Sequence, residues 1–332
     1  MGVIKTRRPT RWLSSSGWGV RESNPLESLQ PRKSHRMRIC VIFNPAAKGE
    51  KAKRFHRHLD AIGADCVLRP TSSPGAGRRL ATEAVSEGHE TIVAAGGDGT
   101  LNEVLNGIGD APDGFARARL AVLPLGTANV FAREIRMPIH LGRAWQVIRN
   151  AREIIIDLAE AEFATDGKLQ RRLFVQLAGA GVDARAVELV DWSLKKRTGF
   201  LAYVAAGLKA VREAKTEICV STRAGSGTGE QVVIGNGRLY GGPFVLFPQA
   251  RLEDGVLNCC VIPRASWAAV AACAWGAVTG TLSRRAGMRH FQADAISLTS
   301  SARTPLEIDG ELVGELPATF SVRRRALRVI VP

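Results

Sequence analysis

Between Thr91 and Ile108 the chain reads TIVAAGGDGTLNEVLNGI: an apolar run, a glycine-rich turn and a helical pattern in immediate succession. Residues 91–95 predict a buried strand, and Thr100-Leu-Asn-Glu103 has the spacing of a helix capping box. The glycines therefore fall at a strand-to-helix turn. There the first free N–H groups of a helix carry partial positive charge, and residues without Cβ let a phosphate approach the backbone. Asp98, inside the turn, would repel a bare phosphate, so the loop implies a divalent cation bound together with a nucleotide.

The same alternation extends on both sides. Strands are predicted at residues 38–43, 65–69, 91–95 and 120–123, with helices from 51, over 75–87, from 101 and from 128. Strands separated by helices run parallel, so residues 37–150 predict an N-terminal doubly wound α/β domain. Ligands of such domains bind at the carboxyl ends of the strands, which points to the loops at 44–49, 70–73, 96–100 and 124–129. After residue 151 the texture changes to shorter β-like runs punctuated by Gly, Pro and Asn. These lie at 153–158, 172–178, 217–221, 231–235, 242–247, 256–262, 295–299 and 327–331, with helices at 185–190, 200–213 and 267–282. They predict a C-terminal antiparallel β-sandwich domain with helices over residues 151–332.

At 332 residues with 45% hydrophobic content, the chain can build two cores. Its formal net charge is +15, of which residues 1–36 supply eight Lys/Arg against two Glu. This leader is polar, aperiodic and without an apolar core segment, so it reads as disordered rather than as a signal peptide, and Met37 is a candidate translation start. A basic chain suits nucleic acid, an anionic membrane surface or a polyphosphate ligand. No zinc-finger spacing or aromatic-basic RNA motif is present, so no nucleic-acid partner is expected. The six cysteines form no CxxC pair and read as small buried hydrophobes of a reducing, cytoplasmic compartment. His56 and His58 sit two apart on a predicted helix and point to different sides, so they do not read as a metal site. Residues 265–283 are uncharged but rich in Ala, Gly, Ser and Thr, which predicts a buried or interfacial helix rather than a membrane span. Arg284, Arg285, Arg289 and His290 follow it, as suits a helix leaning on anionic lipid headgroups.

Six segments in this order resemble the diacylglycerol kinase catalytic family, which includes bacterial soluble diacylglycerol kinases and sphingosine and ceramide kinases. They are FNPAAKGE (43–50), AAGGDGTLNEVLNGI, LAVLPLGTANVFAREI, GAGVDARAV (179–187), residues 240–261 and PLEIDGELVGELPATFSV (305–322). The resemblance covers residues 37–332 and implies the NAD kinase/diacylglycerol kinase-like fold, with ATP and Mg²⁺ as cofactors. By position, Asn44, Pro45, Ala46, Ala47, Lys48, Thr71, Gly96, Gly97, Asp98, Gly99, Thr100, Leu101, Asn102 and Thr127 would contact the nucleotide. The family commonly has Gly at position 48 with a basic residue after it; here the order is Lys-Gly. Catalytic roles fall on Glu311, as the base that takes the acceptor's proton, and on Asp98, on the metal-nucleotide side. Arg251, Asp254 and Val256 resemble a further cation site, the first and last through carbonyl oxygens. Asp309-Gly310 also reads as a type I′ hairpin turn that would present Glu311 rigidly.

The resemblance thus implies a lipid kinase that phosphorylates the hydroxyl of a diacylglycerol-like or long-chain lipid alcohol at the membrane surface, with apolar lining near Phe131 and Val182. Basic groups at 195–197, 284–285 and 323–325 would supply peripheral contact with anionic membrane, about 1 kcal/mol per residue. A homodimer is compatible with the sequence. Two other readings share parts of the pattern. NAD kinases share GGDGT but place an Asn-Glu pair in a later motif, whereas the Asn-Glu here is Asn102-Glu103. A noncatalytic nucleotide- or lipid-sensing module would have no use for intact Asp98 and Glu311.

Overall fold

Four apolar runs become the parallel strands β1 (Ile39–Phe43), β2 (Val67–Pro70), β3 (Thr91–Gly96) and β4 (Arg119–Pro124), in spatial order β2-β1-β3-β4. Every residue of β1 and β3 is buried, the burial expected of a parallel sheet covered on both faces. Helices α1 (Ala76–Ser86), α2 (Asp98–Asp110), α3 (Gly114–Arg117), α4 (Val130–Glu134) and α5 (Leu141–Asn150) connect or follow these strands. The computed structural model describes residues 38–45, 53, 55, 57, 62–150, 152–165, 167–189, 210, 212, 216–284 and 287–332. Lys53, Phe55 and Arg57 are helical, and Phe55 packs edge-on against Phe43 at 5.4 Å. The rest of that predicted helix, with His56 and His58, lies outside the described residues, as do the 1–36 leader, the basic group at 195–197 and nearly all of the helix expected at 200–213.

The second half supplies β5 (Glu153–Thr165), β6 (Lys168–Phe174), β7 (Leu177–Gly181), α6 (Val182–Leu189), β8 (Ile218–Thr222), β9 (Gly225–Gly229) and β10 (Gln231–Gly235). It continues through β11 (Leu239–Tyr240), β12 (Phe244–Val245), β13 (Leu257–Ile262), α7 (Trp267–Thr279), β14 (Arg289–Ala293), β15 (Ala295–Ser300), β16 (Pro305–Ile308) and β17 (Glu311–Ile330). The ladders among these strands are antiparallel and form the C-terminal β-sandwich, with Phe174 and Phe320 meeting edge-to-face at 6.3 Å in its core.

Strand β17 departs most from expectation. The short strand predicted at 327–331 is the end of a 20-residue strand beginning at Glu311. Its first residues form a hairpin with β16, its middle pairs with β15 and β5, and Val329 pairs in parallel with Leu120 of β4. One strand therefore belongs to both sheets. Its length was hidden because Pro317 and the Arg323-Arg324-Arg325 run break the apolar pattern. The run predicted at 172–178 is two strands, since β6 pairs with β5 whereas β7 pairs with β10 and β16. Of the run at 242–247 only Phe244–Val245 is extended. Cys219 is exposed on β8, against the expectation that the cysteines are buried, because it takes an outward position in the alternating strand.

Arg323 is not a free surface cation: its Nε donates to Glu160 at 2.5 Å. At the bulge beyond it, buried Asp157 of β5 accepts the N–H of Arg325 and the N–H of Gly255, both at 2.6 Å. This one carboxylate joins β5, β17 and the turn at 251–256. Truncating it strands two donors where water cannot replace the acceptor, so Asp157→Ala should lower unfolding free energy by about 2–4 kcal/mol in urea titration. An unchanged midpoint would show that these bonds contribute nothing net.

Candidate functional site

The turn loops expected to hold a nucleotide stand together at the carboxyl ends of β1 to β4: Asn44 and Pro45 after β1, Thr71 after β2, Gly97 after β3 and Thr127 after β4. Thr71 is tied back by its N–H to the carbonyl of Phe43 at 2.8 Å. Ala46, Ala47 and Lys48, with the Lys-Gly inversion, lie outside the described residues.

Helix α2 begins at Asp98, not after Thr100, and its N-cap Gly97 carries no side-chain cap. The expected capping box is thus not one. Thr100 lies within the first turn, and Glu103 turns away to accept the N–H groups of Gly75 and Gly77, both at 2.8 Å, at the start of α1. The carboxylate caps a neighbouring helix and leaves the α2 N-terminus to other ligands. The PLGTAN loop packs on the same turn: a Cβ added at Gly126 would meet Gly97 Cα at 2.5 Å, so only glycine allows this approach. Asn129, in the left-handed region at φ 48°, closes its own loop by donating to the Gly126 carbonyl at 2.7 Å. Asp98 then links the two loops by accepting the Val130 N–H at 2.8 Å. Burial pushes its carboxyl pKa up, and the N–H groups of Val130, Phe131 and Asn129 pull it back. Asp98 is therefore already a helix-terminal ligand of α4, a use the sequence reading did not foresee.

From the sandwich side, the β16–β17 hairpin turns through Asp309 and Gly310 at φ 48° and 83°, as a type I′ turn requires. Its first strand residue after the turn, Glu311, lays Oε1 over Gly99 in the first turn of α2, in the space a Cβ would fill. The two halves of the candidate site therefore touch. Arg172 of β6 holds the other carboxylate oxygen at 3.1 Å and donates through Nε to Asn102 Oδ1 at 2.7 Å. Asn102, wholly buried, passes its amide protons to Asp309 Oδ2 and to the Leu173 carbonyl at 2.9 and 3.0 Å. Leu177 N–H completes the chain on Asp309 Oδ1 at 3.1 Å. Leu101 is buried in the core and supports the helix from below.

Behind the hairpin lies a second acidic group. Glu307 accepts Gly310 N–H at 2.8 Å, and Tyr240 donates to Asp183 at 2.7 Å. Burial, reinforced by the neighbouring Asp183 carboxylate, pushes the Glu307 carboxyl pKa well up. Sequence reasoning saw Asp309 only as a turn residue and missed the contacts of its carboxylate, along with Arg172 and this cluster. Arg172 sits in KLQRRLF, whose polar, exposed first half carries no local sign of a partner 139 residues away. Phe131, expected near the acceptor lipid, is fully buried in the N-terminal core and lines no open surface. Val182 packs instead with Ala186, Leu189 and Ala210.

At the expected further cation site, Arg251, Asp254 and Val256 share one turn. The Asp254 carboxylate accepts the N–H of Arg251 at 3.1 Å and of Val256 at 3.2 Å. Among the described residues no three His, Cys, Asp or Glu side chains gather into a metal-binding group.

Against known proteins, residues 38–161 match the model of the diacylglycerol kinase catalytic domain, and residues 176–331 match that of the YegS C-terminal NAD kinase beta sandwich-like domain. A diacylglycerol kinase of Staphylococcus carnosus (strain TM300) is 27% identical over 304 residues, covering 90% of this chain and 96% of that one. One from Staphylococcus aureus (strain bovine RF122 / ET3-1) is 29% identical over 304 residues, covering 90% and 93%. A crystal structure described as a diacylglycerol kinase from Bacillus anthracis str. Sterne superposes with a TM-score of 0.62 at 18% identity, covering 89% of this chain and 97% of that one. The fold is thus that of a two-domain kinase with a parallel-sheet lobe and a β-sandwich lobe. Residues 38–161 thus belong to the diacylglycerol kinase catalytic family, a family of lipid kinases, residues 176–331 to the YegS C-terminal family, and the chain is an ATP-dependent kinase.

Asp309 provides a pH signature of the site. Burial, with the Asp98 charge adding to it, raises its carboxyl pKa from 3.8 to about 7, although N–H donors from Leu177 and Asn102 oppose the shift. The folded state therefore holds a proton that the unfolded state releases from about pH 4, and the cost of ionising Asp309 grows as pH rises towards 7. Asp309→Asn loses one acceptor at every pH but never pays that rising cost. Its melting temperature should gain on wild type by about 2–4 °C between pH 5 and pH 8 in differential scanning fluorimetry. A difference that stays flat across this range would overturn the assignment.

Proposed function

We propose that this enzyme transfers the γ-phosphoryl group of Mg-ATP to the hydroxyl of a diacylglycerol-like or long-chain lipid alcohol. The observation that carries the reading is the seat of Glu311 over Gly99, which brings a carboxylate from one lobe to a helix N-terminus of the other. The uncapped first turn of α2 suits nucleotide phosphates, since its N–H groups and dipole favour anions. Gly96, Gly97 and Gly99 keep the turn open to them, with Asn44, Thr71 and Thr127 around its rim.

Glu311 takes the proton of the lipid hydroxyl as its oxygen bonds to the γ-phosphorus and the bond to the β-phosphate bridging oxygen breaks. Arg172 orients that carboxylate, and Asn102 and the Asp309 turn fix Arg172 and the hairpin in place. A Mg²⁺ ion bound with the nucleotide would neutralise phosphate charge, and Asp98 is the carboxylate on that side. Magnesium typically uses one or two carboxylates plus substrate phosphates and waters, so the residues fit without an all-protein cage. Asp254, with the carbonyls of Arg251 and Val256, is a second candidate cation site on the same reading. The enzyme would meet its lipid at the membrane surface.

Purified protein with Mg-ATP should label at least one lipid from a panel of diacylglycerol, phosphatidylglycerol, ceramide and sphingoid base, and failure with all four would overturn the acceptor class. Glu311→Gln should lower kcat by about 10²- to 10⁴-fold with little change in melting temperature. Unchanged turnover would remove Glu311 as the base.

A further inference from the structure

Helix α7 (Trp267–Thr279) is apolar on the wrong side for a soluble protein. Its large residues face out: Trp267, Val270, Trp275 and Val278 are 45, 36, 64 and 81% exposed. Small residues, Ala269, Ala272, Cys273 and Gly276, take the less exposed positions, and Gly276 is the buried one. At 100° per residue the four large side chains fall within an arc of roughly 140°, so they form one face. Both ends of the helix are well terminated: Ser266 accepts the Ala269 N–H at 3.2 Å, and Gly280 closes it at φ 68°. The outward face is thus presented by an ordered element.

The surroundings decide what that face meets. Residues 255–293 contain no Asp or Glu, but they carry Arg264, Arg284, Arg285, Arg289 and His290. Arg264, Arg284, Arg289 and His290 are exposed, and the Arg212 guanidinium lies over the Trp267 ring at 5.5 Å. Glu230, at the helix start, is engaged by the Ala265 N–H at 2.7 Å. A second copy docking here would bring the same arginines against one another, which disfavours a symmetric contact. An aromatic-bearing apolar face rimmed by arginine complements a surface that is apolar beneath and anionic above.

Resting on the lipid-kinase reading, we propose that α7 is the membrane-docking element. It lies in the interface of an anionic bilayer, with Trp267, Val270, Trp275 and Val278 among the acyl-headgroup boundary and Arg264, Arg284 and Arg289 against anionic headgroups. No described helix is long and apolar enough to cross a membrane, so the contact is peripheral. The seat of the helix links it to the site. Cys273 packs on the cluster of Leu177, Phe247, Cys260 and Leu282, and the Leu177 N–H holds Asp309. One packed layer therefore separates the docked helix from the hairpin that presents Glu311.

The test is sedimentation of the full-length chain, without ATP, on phosphatidylcholine vesicles with and without about 30 mol % phosphatidylglycerol. Wild type should bind the anionic vesicles at least tenfold better. Trp275→Glu with Val278→Glu, both at exposed positions, should cut that binding about tenfold or more, whereas Leu169→Glu, 74% exposed on β6, should not. Turnover on a short-chain diacylglycerol dispersed in detergent should stay within about twofold in the paired variant, while apparent KM for vesicle lipid rises. Equal binding by the paired variant and wild type overturns the proposal. So does wild-type dimerisation that the paired substitution abolishes, which would make α7 a contact between copies. Vesicle binding through α7 without phosphorylation of any lipid would instead overturn the kinase substrate reading and leave the docking surface standing.

Discussion

The β5–β17 ladder is the constraint from which the rest of the architecture follows. β17 begins at Glu311 and ends in the parallel sheet beside β4, with β5 alongside it for most of its length. Hydrogen-bonded strands transmit position far more rigidly than a linker does. The carboxylate from the sandwich is therefore held against the glycine turn by the fold itself, even though Glu311 and Gly99 are remote in sequence. The bulge at Arg323 to Leu327 bends the strand where one sheet passes into the other, and Asp157 is buried at that bend to satisfy the loosened backbone.

Around the glycine turn the governing economy is that acids are assigned to backbone N–H groups. Glu103 caps α1, Asp98 binds the start of α4, and Asp254 closes its own turn. The start of α2 is treated differently, since it carries no side-chain cap and is approached by Glu311. A helix N-terminus left this way concentrates positive potential, and the Glu311 carboxylate lies within reach of the same point.

Much of this was legible in the residues. Continuous apolar runs located β1, β3 and β4 because these strands are buried on both faces and need no knowledge of their partners, whereas β2, at the sheet edge, is only half-buried. The Asp309-Gly310 turn was legible because only residues tolerant of positive φ make a two-residue hairpin. What stayed hidden depends on pairings across long stretches of chain. Thr100 and Glu103 have capping-box spacing, yet Glu103 finds α1, because spacing reports which groups could meet along one helix and not which helix lies alongside. Arg172 and Asn102 look ordinary one at a time. Their importance comes from being third parties in a network whose ends, Glu311 and Asp309, are brought in by the β16–β17 hairpin.

The charge balance of the assembled cleft explains why those third parties matter. Asp98, Asp309 and Glu311 come from both lobes to one place, and Asp309 already feels the Asp98 charge. Like charges gathered this way would push the lobes apart unless each is neutralised locally. Here the N–H groups at 129–131 stabilise Asp98, Arg172 neutralises Glu311, and Asp309, which burial keeps protonated up to about pH 7, is held by Asn102 and Leu177. Two of these three arrangements run through Asn102, which donates to Asp309 and accepts from Arg172. Its amide supplies both a donor and an acceptor at one buried point, a combination neither a carboxylate nor Leu could offer. The asparagine inside the glycine motif is thus what lets the carboxylates of the two lobes close on one another.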